Sequence, residues 1–285
     1  MYQSMKYMLD KAYAEKYAVM AINCFNLETA RSVIKAAELE KAPIIINIFQ
    51  DHMVNHCDSE IIAPIVKTLA WHTDVPVALN YDHGTDIIRL KKAVDDGFSG
   101  VMIDASRYDL EENIAQTRLM VEYAHPRGTG VEGEIGCIGA VEGAQYTSDA
   151  MYTDPASAKK FADASKVDAL AVSFGSSHGT YPAGMIPSFD FERLKSIKKL
   201  TDIPLVLHGG SGSGEQNIKQ SVQYGINKIN VGCDFMNANV QAVQSALADR
   251  PDINFYDLVA DAEEKSIDLV RYYIELSGSV HKGVC

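Results

Sequence analysis

The sequence predicts an α/β protein of the (β/α)8 TIM-barrel class, and three observations lead there. Short apolar, β-branched runs alternate with longer segments of helical period. Eight such runs occur in roughly 250 residues, the size of one closed barrel. The titratable and amide residues of those runs gather at their carboxyl ends.

The strand candidates are residues 18–22, 43–48, 76–81, 100–103, 130–134, 169–173, 204–207 and 228–231. Between them, residues 28–40, 86–96, 110–124, 157–164, 191–200 and 214–224 carry apolar residues at three- and four-residue spacing, and several open with Asp, Ser or Thr, as helices do. Strands that are hydrophobic throughout, separated by helices, imply a parallel sheet covered on both faces. A doubly wound open sheet is the competing architecture. No low-complexity linker or charged tail interrupts the pattern, so residues 1–285 read as one domain. Its long final helix, residues 255–276, serves either as an interface element or as part of the core.

A chain that is 47% hydrophobic and 22% charged is ordinary globular material, long enough to bury a large core. The formal charge of -12 argues against a nucleic-acid partner, because most of the surface would repel a phosphate backbone. Cys24, Cys57, Cys137, Cys233 and Cys285 form no CxxC pair, which favours a reducing compartment over a disulfide framework. No uninterrupted apolar run of about 18 residues and no cleavable leader pattern is present. The expectation is a cytoplasmic protein with no membrane partner.

A barrel should carry its active site at the carboxyl ends of its strands. Asn23 follows the first strand, Asp82 and His83 the third, Asp104 the fourth and Glu134 the fifth. His178 comes shortly after the sixth, His208 ends the seventh, and Asn230 lies in the eighth. Three imidazoles, His83, His178 and His208, brought to one mouth would leave an open coordination position, as in a catalytic zinc site. His52, His56, His72, His125 and His281 read instead as solvated loop histidines. Asp82 either supports that site or moves protons, or is merely a turn aspartate. Glu132, Glu134 and Glu142 fall in a strand that runs into a glycine-bearing loop. Acids alternating with Val131, Gly133 and Ile135 must face the site or an internal partner. The run His208-Gly-Gly-Ser-Gly-Ser-Gly214 can turn backbone N–H groups toward a phosphate at a helix N-terminus, or be a flexible connection. Its place after the seventh strand favours phosphate.

Asp82-His-Gly84, residues 131–142, Phe174-Gly-Ser-Ser-His-Gly179, Leu207-His-Gly-Gly-Ser211 and Ile229-Asn-Val231 resemble, in order, the motifs of class II zinc-dependent ketose-bisphosphate aldolases of the fructose and tagatose type. The likeness runs from Asn23-Cys-Phe-Asn-Leu-Glu28 to Ser277-Gly-Ser279. The resemblance implies Zn2+ held by His83, His178 and His208, acting as a Lewis acid on the ketose oxygens while the carbon–carbon bond breaks to an enediolate. It implies that Asp82 exchanges a proton with the hydroxyl that becomes the aldehyde, and that Glu142 moves the proton at the enediolate carbon. Asp104 and Glu134 would hold a second divalent ion or a monovalent cation, or orient the histidines. Gly179, Gly209, Gly210, Ser211, Asn230 and Cys233 would surround the ketone and its phosphate, with Asn23 facing the substrate. The partner is a small sugar phosphate, and relatives assemble as homodimers or homotetramers.

The expected reaction is reversible cleavage of a ketose 1-phosphate or 1,6-bisphosphate to dihydroxyacetone phosphate and an aldehyde. The alternatives are an aldolase for an uncommon sugar phosphate lacking the distal phosphate and a metal-dependent sugar-phosphate isomerase or epimerase. Four departures bear on the choice. Asn80 stands where the family usually has histidine, and Cys233 where threonine is common. Met236 replaces a frequent Arg or Lys, and Phe49 a frequent Ser or Thr. Losing a charge-assisted phosphate contact costs roughly 1.5–3 kcal/mol, which puts the second phosphate in question unless Lys282 or Arg271 replaces it, from this chain or a neighbouring subunit.

Overall fold

Side chains of a parallel strand alternate between two faces, and in this chain the two faces are sorted into separate cores. The computed structural model describes residues 1–136, 139–140, 152–179, 181–182 and 184–283. Its strands are β1 (Val19–Cys24), β2 (Ile44–Phe49), β3 (Val77–Gly84), β4 (Gly100–Ile103), β5 (Gly130–Ile135), β6 (Gly139–Ala140), β7 (Ala169–Val172), β8 (Ser177–His178), β9 (Leu205–Leu207) and β10 (Ile226–Val231). Eight of them close into a parallel barrel in the order β1-β10-β9-β7-β5-β4-β3-β2, while the short β6 and β8 pair with each other. Closure through the β1–β10 pairing rules out the open doubly wound sheet.

The helices are α1 (Met5–Glu15), α2 (Leu27–Glu40), α3 (Gln50–Asn55), α4 (Ser59–Trp71), α5 (Ile87–Asp96), α6 (Leu110–Ala124), α7 (Pro155–Ser165), α8 (Phe191–Leu200), α9 (Glu215–Gln223), α10 (Cys233–Asp249) and α11 (Phe255–Leu276). Most start where an Asp or Asn accepts a backbone N–H: Asn26, Asp58, Asp86, Asp109, Asp154, Asp190 and Asn254 all do so. Outward strand residues such as Met20, Ile46, Leu79, Val131, Leu170 and Leu207 pack under these helices. Inward residues form a second core of Val19, Ala21, Ile45, Ala78, Ala169, Ala171 and Val206.

Four small alanines cannot fill a barrel, and α1 supplies the missing volume. Its Met5, Met8, Leu9 and Ala12 are buried in the same interior core. Met5 N–H donates to Ser99 O and Gln3 N–H to Val77 O, which ties the segment to the amino ends of β3 and β4. The helix contacts β1, β3, β5 and β10, and so floors the barrel. Farther up each strand the same parity brings Asn23, Asn47, Asn80, Asp82, Asp104, Glu132, Glu134, His208, Lys228 and Asn230. The interior is therefore apolar below and polar above.

The C-terminal helix α11 lies along α10 and α2 and buries Val270, Tyr273 and Ile274, so that face belongs to the chain's own core. Replacing Leu9, fully buried in the floor, is predicted to be felt as a cavity. Leu9→Ala should lower stability by about 2–5 kcal/mol in urea denaturation, and a loss under about 1 kcal/mol would show that α1 does not close the barrel.

Candidate active site

Alternation would send Asp82 and His83 to opposite faces of β3, yet both line one cavity of about 680 Å3 at the carboxyl end of the barrel. The reason is local. Pairing between β3 and β4 shifts register between Tyr81 and Gly84, and His83 sits there in left-handed backbone with φ +52°. Such an irregularity re-aims a side chain, and holding a non-glycine residue in this region costs about 1–2 kcal/mol. The strain gives the site two adjacent functional groups on one face.

Around that bulge the three predicted histidines converge. The ring centroids of His83 lie 4.8 Å from His178 and 4.6 Å from His208. One nitrogen from each ring fits within a span of 4.8 Å, as a metal ion requires. His83 Nε2 and His208 Nδ1 face each other at 2.9 Å, and buried His178 Nε2 has no partner among the described residues. The arrangement of two opposed nitrogens and a third orphaned one suits a dication. His83, Asp104 and Glu134 form a second group of possible ligands. Within it Asp104 Oδ2 lies 2.9 Å from His83 Nδ1 and Glu134 Oε2 4.0 Å from the same atom, so Asp104 also orients the ring.

The charge states follow from burial and neighbours. Burial pushes the Asp82 carboxyl up, but the charges of His83 and Lys228 and the hydrogen bond from Asn23 outweigh it and hold Asp82 below its usual range. Burial works against a charged His83, yet Asp82, Asp104 and Glu134 together raise it from 6.5 to about 9. Burial and the charge of His83 lower His178 to about 4 and carry His208 well below its ordinary value. A proton on His83 thus occupies the gap between two ring nitrogens. Asp82 accepts one hydrogen bond on each oxygen, from Asn23 Nδ2 at 2.8 Å and Asn230 Nδ2 at 3.0 Å.

Across the cavity lies the glycine-rich loop. Gly209 has φ +66°, and a Cβ there would lie 2.4 Å from Ser177 O, so only glycine lets the loop pack against the segment carrying His178. Ser211 Oγ accepts from Gly232 N and Asp234 N, both at 3.2 Å, at the start of α10, where the N-cap residue Gly232 has no side chain of its own to do so. Asp234 Oδ2 accepts Gly212 N–H at 3.0 Å and Tyr273 O–H at 2.5 Å. Backbone N–H groups and a helix N-terminus make this corner suitable for a phosphate.

Asn23, Gly179, Gly209, Ser211, Asn230 and Cys233 all line the cavity with the histidines, Asp82, Asp104 and Glu134. Gly210 does not, and its N–H is committed to Asn230 O at 2.9 Å. Glu142 lies outside the described residues. One histidine departs from the solvated expectation: His52, on α3, lines the cavity edge-to-face with Phe49. His125 stays exposed, with its Nε2 2.8 Å from Asp168. Lys228 and Tyr273 were missed altogether. Lys228 announced itself as a lysine in an apolar strand, two residues before Asn230 and hence on the same face. Arg271 and Lys282 do not reach the cavity, being paired with Glu40 at 2.6 Å and Glu15 at 3.0 Å.

Barrel, histidine cluster and phosphate corner together define a class II aldolase. The model of the family described as class II fructose-bisphosphate aldolase matches residues 3–282, and the chain belongs to that family. It is 39% identical over 256 residues to a fructose-bisphosphate aldolase of Geobacillus stearothermophilus, covering 89% of this chain and 88% of that one. It is also 39% identical over 267 residues to a 6-phospho-5-dehydro-2-deoxy-D-gluconate aldolase of Halalkalibacterium halodurans, covering 93% and 91%. Among solved structures, the YdjI aldolase from Escherichia coli K12 superposes with a TM-score of 0.87 at 32% identity, covering 99% of this chain and 100% of that one. No helix among the described residues is long and apolar enough to cross a membrane.

The raised His83 gives a signed prediction. Its proton stabilises the metal-free protein fully below pH 6.5, and that contribution is lost as pH rises through about 9. Metal uptake near pH 7.5 should therefore expel about one proton, and affinity should climb with pH up to about 9. Calorimetry in buffers of different ionisation enthalpy reads this directly, and uptake without proton release would mean His83 is already neutral.

Proposed function

We propose that this enzyme is a zinc-dependent aldolase that reversibly cleaves a ketose 1-phosphate to dihydroxyacetone phosphate and an aldehyde without a distal phosphate. The observation that carries the second half is the cavity wall. No lysine or arginine lines it among the described residues, and the residues outside the description contain none. Phe49 and Met236 occupy the wall where a cationic or hydroxyl anchor would be expected. One phosphate has a place, at the glycine-rich loop and the start of α10, while a second has no cation of this chain to meet it. The two relatives at 39% identity bear different substrate names, so overall likeness does not choose between substrates.

His83, His178 and His208 would hold the ion, and nitrogen donors of this kind suit zinc. When bound, it supplies Lewis acidity to the ketone and hydroxyl oxygens of the substrate. Asp82 is ionised, buried and held by two amide donors, so it is placed to take the proton from the hydroxyl that becomes the aldehyde oxygen. Asn23 and Asn230 keep that carboxylate from rotating. Glu142 is the group we assign to returning a proton to the carbon left behind. Ser211, whose Oγ is held by the N–H groups of Gly232 and Asp234, is the side chain we assign to orienting the phosphate through its own O–H.

Removing the metal with EDTA should abolish cleavage and adding zinc should restore it; full activity in metal-free protein would end the zinc assignment. Asp82→Asn should lower kcat by about 100- to 10,000-fold while dihydroxyacetone phosphate still binds in calorimetry. A coupled assay for released dihydroxyacetone phosphate separates cleavage from isomerisation or epimerisation, which release none. In the condensation direction, unphosphorylated aldehydes should exceed their phosphorylated counterparts in kcat/KM by about tenfold or more. Faster turnover of the phosphorylated member would show that a second phosphate is bound.

A further inference from the structure

We infer that Glu132 and Lys228 are positioning residues: together they fix which nitrogen of His208 faces the metal cluster and which way the Asn230 amide points at Asp82. Both side chains are wholly buried, Glu132 on β5 and Lys228 on β10, below the cavity rather than in its lining. Glu132 Oε1 lies 2.7 Å from His208 Nε2, and Glu132 Oε2 lies 2.8 Å from Lys228 Nζ. Lys228 Nζ also donates to Asn230 Oδ1 at 2.7 Å, and Asn230 Nδ2 donates to Asp82 Oδ1 at 3.0 Å. One chain of three hydrogen bonds and an ion pair thus runs from a histidine of the candidate metal cluster to the aspartate assigned to move the proton.

Each bond in the chain has one possible direction. A carboxylate paired with an ammonium only accepts, so His208 must carry its hydrogen on Nε2. Its Nδ1 lone pair is then turned to the cluster, where it faces His83 Nε2. An ammonium only donates, so it selects the oxygen of the Asn230 amide and leaves the NH2 to Asp82. Without Lys228 the amide is free to flip and present its oxygen to a carboxylate.

Stability alone does not account for the pair. Burying two charges is expensive, and apolar residues of similar volume often serve a fold as well or better. What an apolar pair cannot do is specify a tautomer. A carboxylate behind a metal-binding imidazole also raises its basicity, and losing such a partner typically weakens metal binding by about 10- to 100-fold.

The inference rests on His208 being a metal ligand, as in the proposed function, but its test does not depend on which substrate is used. The double variant Glu132→Gln/Lys228→Met removes both charges at nearly constant volume. It should melt as the parent does when metal-free, yet bind zinc about 10- to 100-fold more weakly in competition with a chromophoric chelator, with an altered cobalt(II) absorption spectrum. Lys228→Met/Glu132→Gln protein with parental zinc affinity, spectrum and kcat would overturn the inference. The unmutated protein supplies a second measurement that needs no folding control. Long-range proton–nitrogen NMR of nitrogen-15 histidine, assigned with His208→Asn, should show hydrogen on Nε2 of His208 in metal-free and zinc-loaded protein. Hydrogen on Nδ1, or metal on Nε2, would refute it. A protein that passes the NMR test but releases no dihydroxyacetone phosphate would refute the proposed function and leave the positioning role intact.

Discussion

Charge buried at the carboxyl end of the barrel is the constraint on which the rest of this structure depends. Asp82, Glu132 and Glu134 are almost fully buried and Asp104 is largely so, yet they crowd around three imidazoles. Carboxylates in such a place must be paired, hydrogen-bonded or neutralised. Lys228 meets Glu132, the amides of Asn23 and Asn230 meet Asp82, and Ser106 meets Asp104 at 2.7 Å. The proton on His83 completes the balance in the metal-free protein. A dication in its place would carry one more positive charge into the same acidic surroundings. The apparatus that keeps Asp82 ionised therefore also makes the histidine cluster attractive to a metal.

The scaffold delivers this charge by parity. Along most of the strands the same inward face is apolar near α1 and polar near the mouth, so the barrel separates its dry core from its chemistry within a few residues. His83 is the exception that proves costly: to share a face with Asp82 it adopts left-handed backbone at a register shift. That strain persists only because β3 is fixed on both sides, by pairing with β2 up to Asp82 and with β4 again at Gly84.

Much of this was legible beforehand because it depends on periodicity. All eight barrel strands fell within two or three residues of their expected ends, and the residues at those ends are the ones that converge. The helix α1 escaped notice because Met5, Met8 and Leu9 show only a modest apolar stripe, and nothing local says that the stripe will floor a barrel. Contacts between distant segments were hidden as well. His208 and Glu132 are separated by 76 positions and Tyr273 and Asp234 by 39, so no spacing rule relates them. The parity of Lys228 with Asn230 was visible, but its meaning required knowing that Glu132 faces it across the barrel.

The departure at Asn80 shows how position, rather than residue type, decides consequence. A histidine two residues before Asp82 would share the inward face that carries Asp82. Asn80 lies one step deeper on the inward face, where its Nδ2 donates to Asn47 Oδ1 at 3.0 Å across the β2–β3 pair. Among the described residues no hydrogen bond joins it to His83 or His208. The other substituted positions act differently, because Phe49 and Met236 line the cavity itself and Phe49 stacks edge-to-face on His83 with centroids 6.0 Å apart. An apolar ring at that point packs against the His83 imidazole and offers nothing to an anion. Changes deep in the barrel alter how the machinery is held, whereas changes on the cavity wall alter what the machinery can admit.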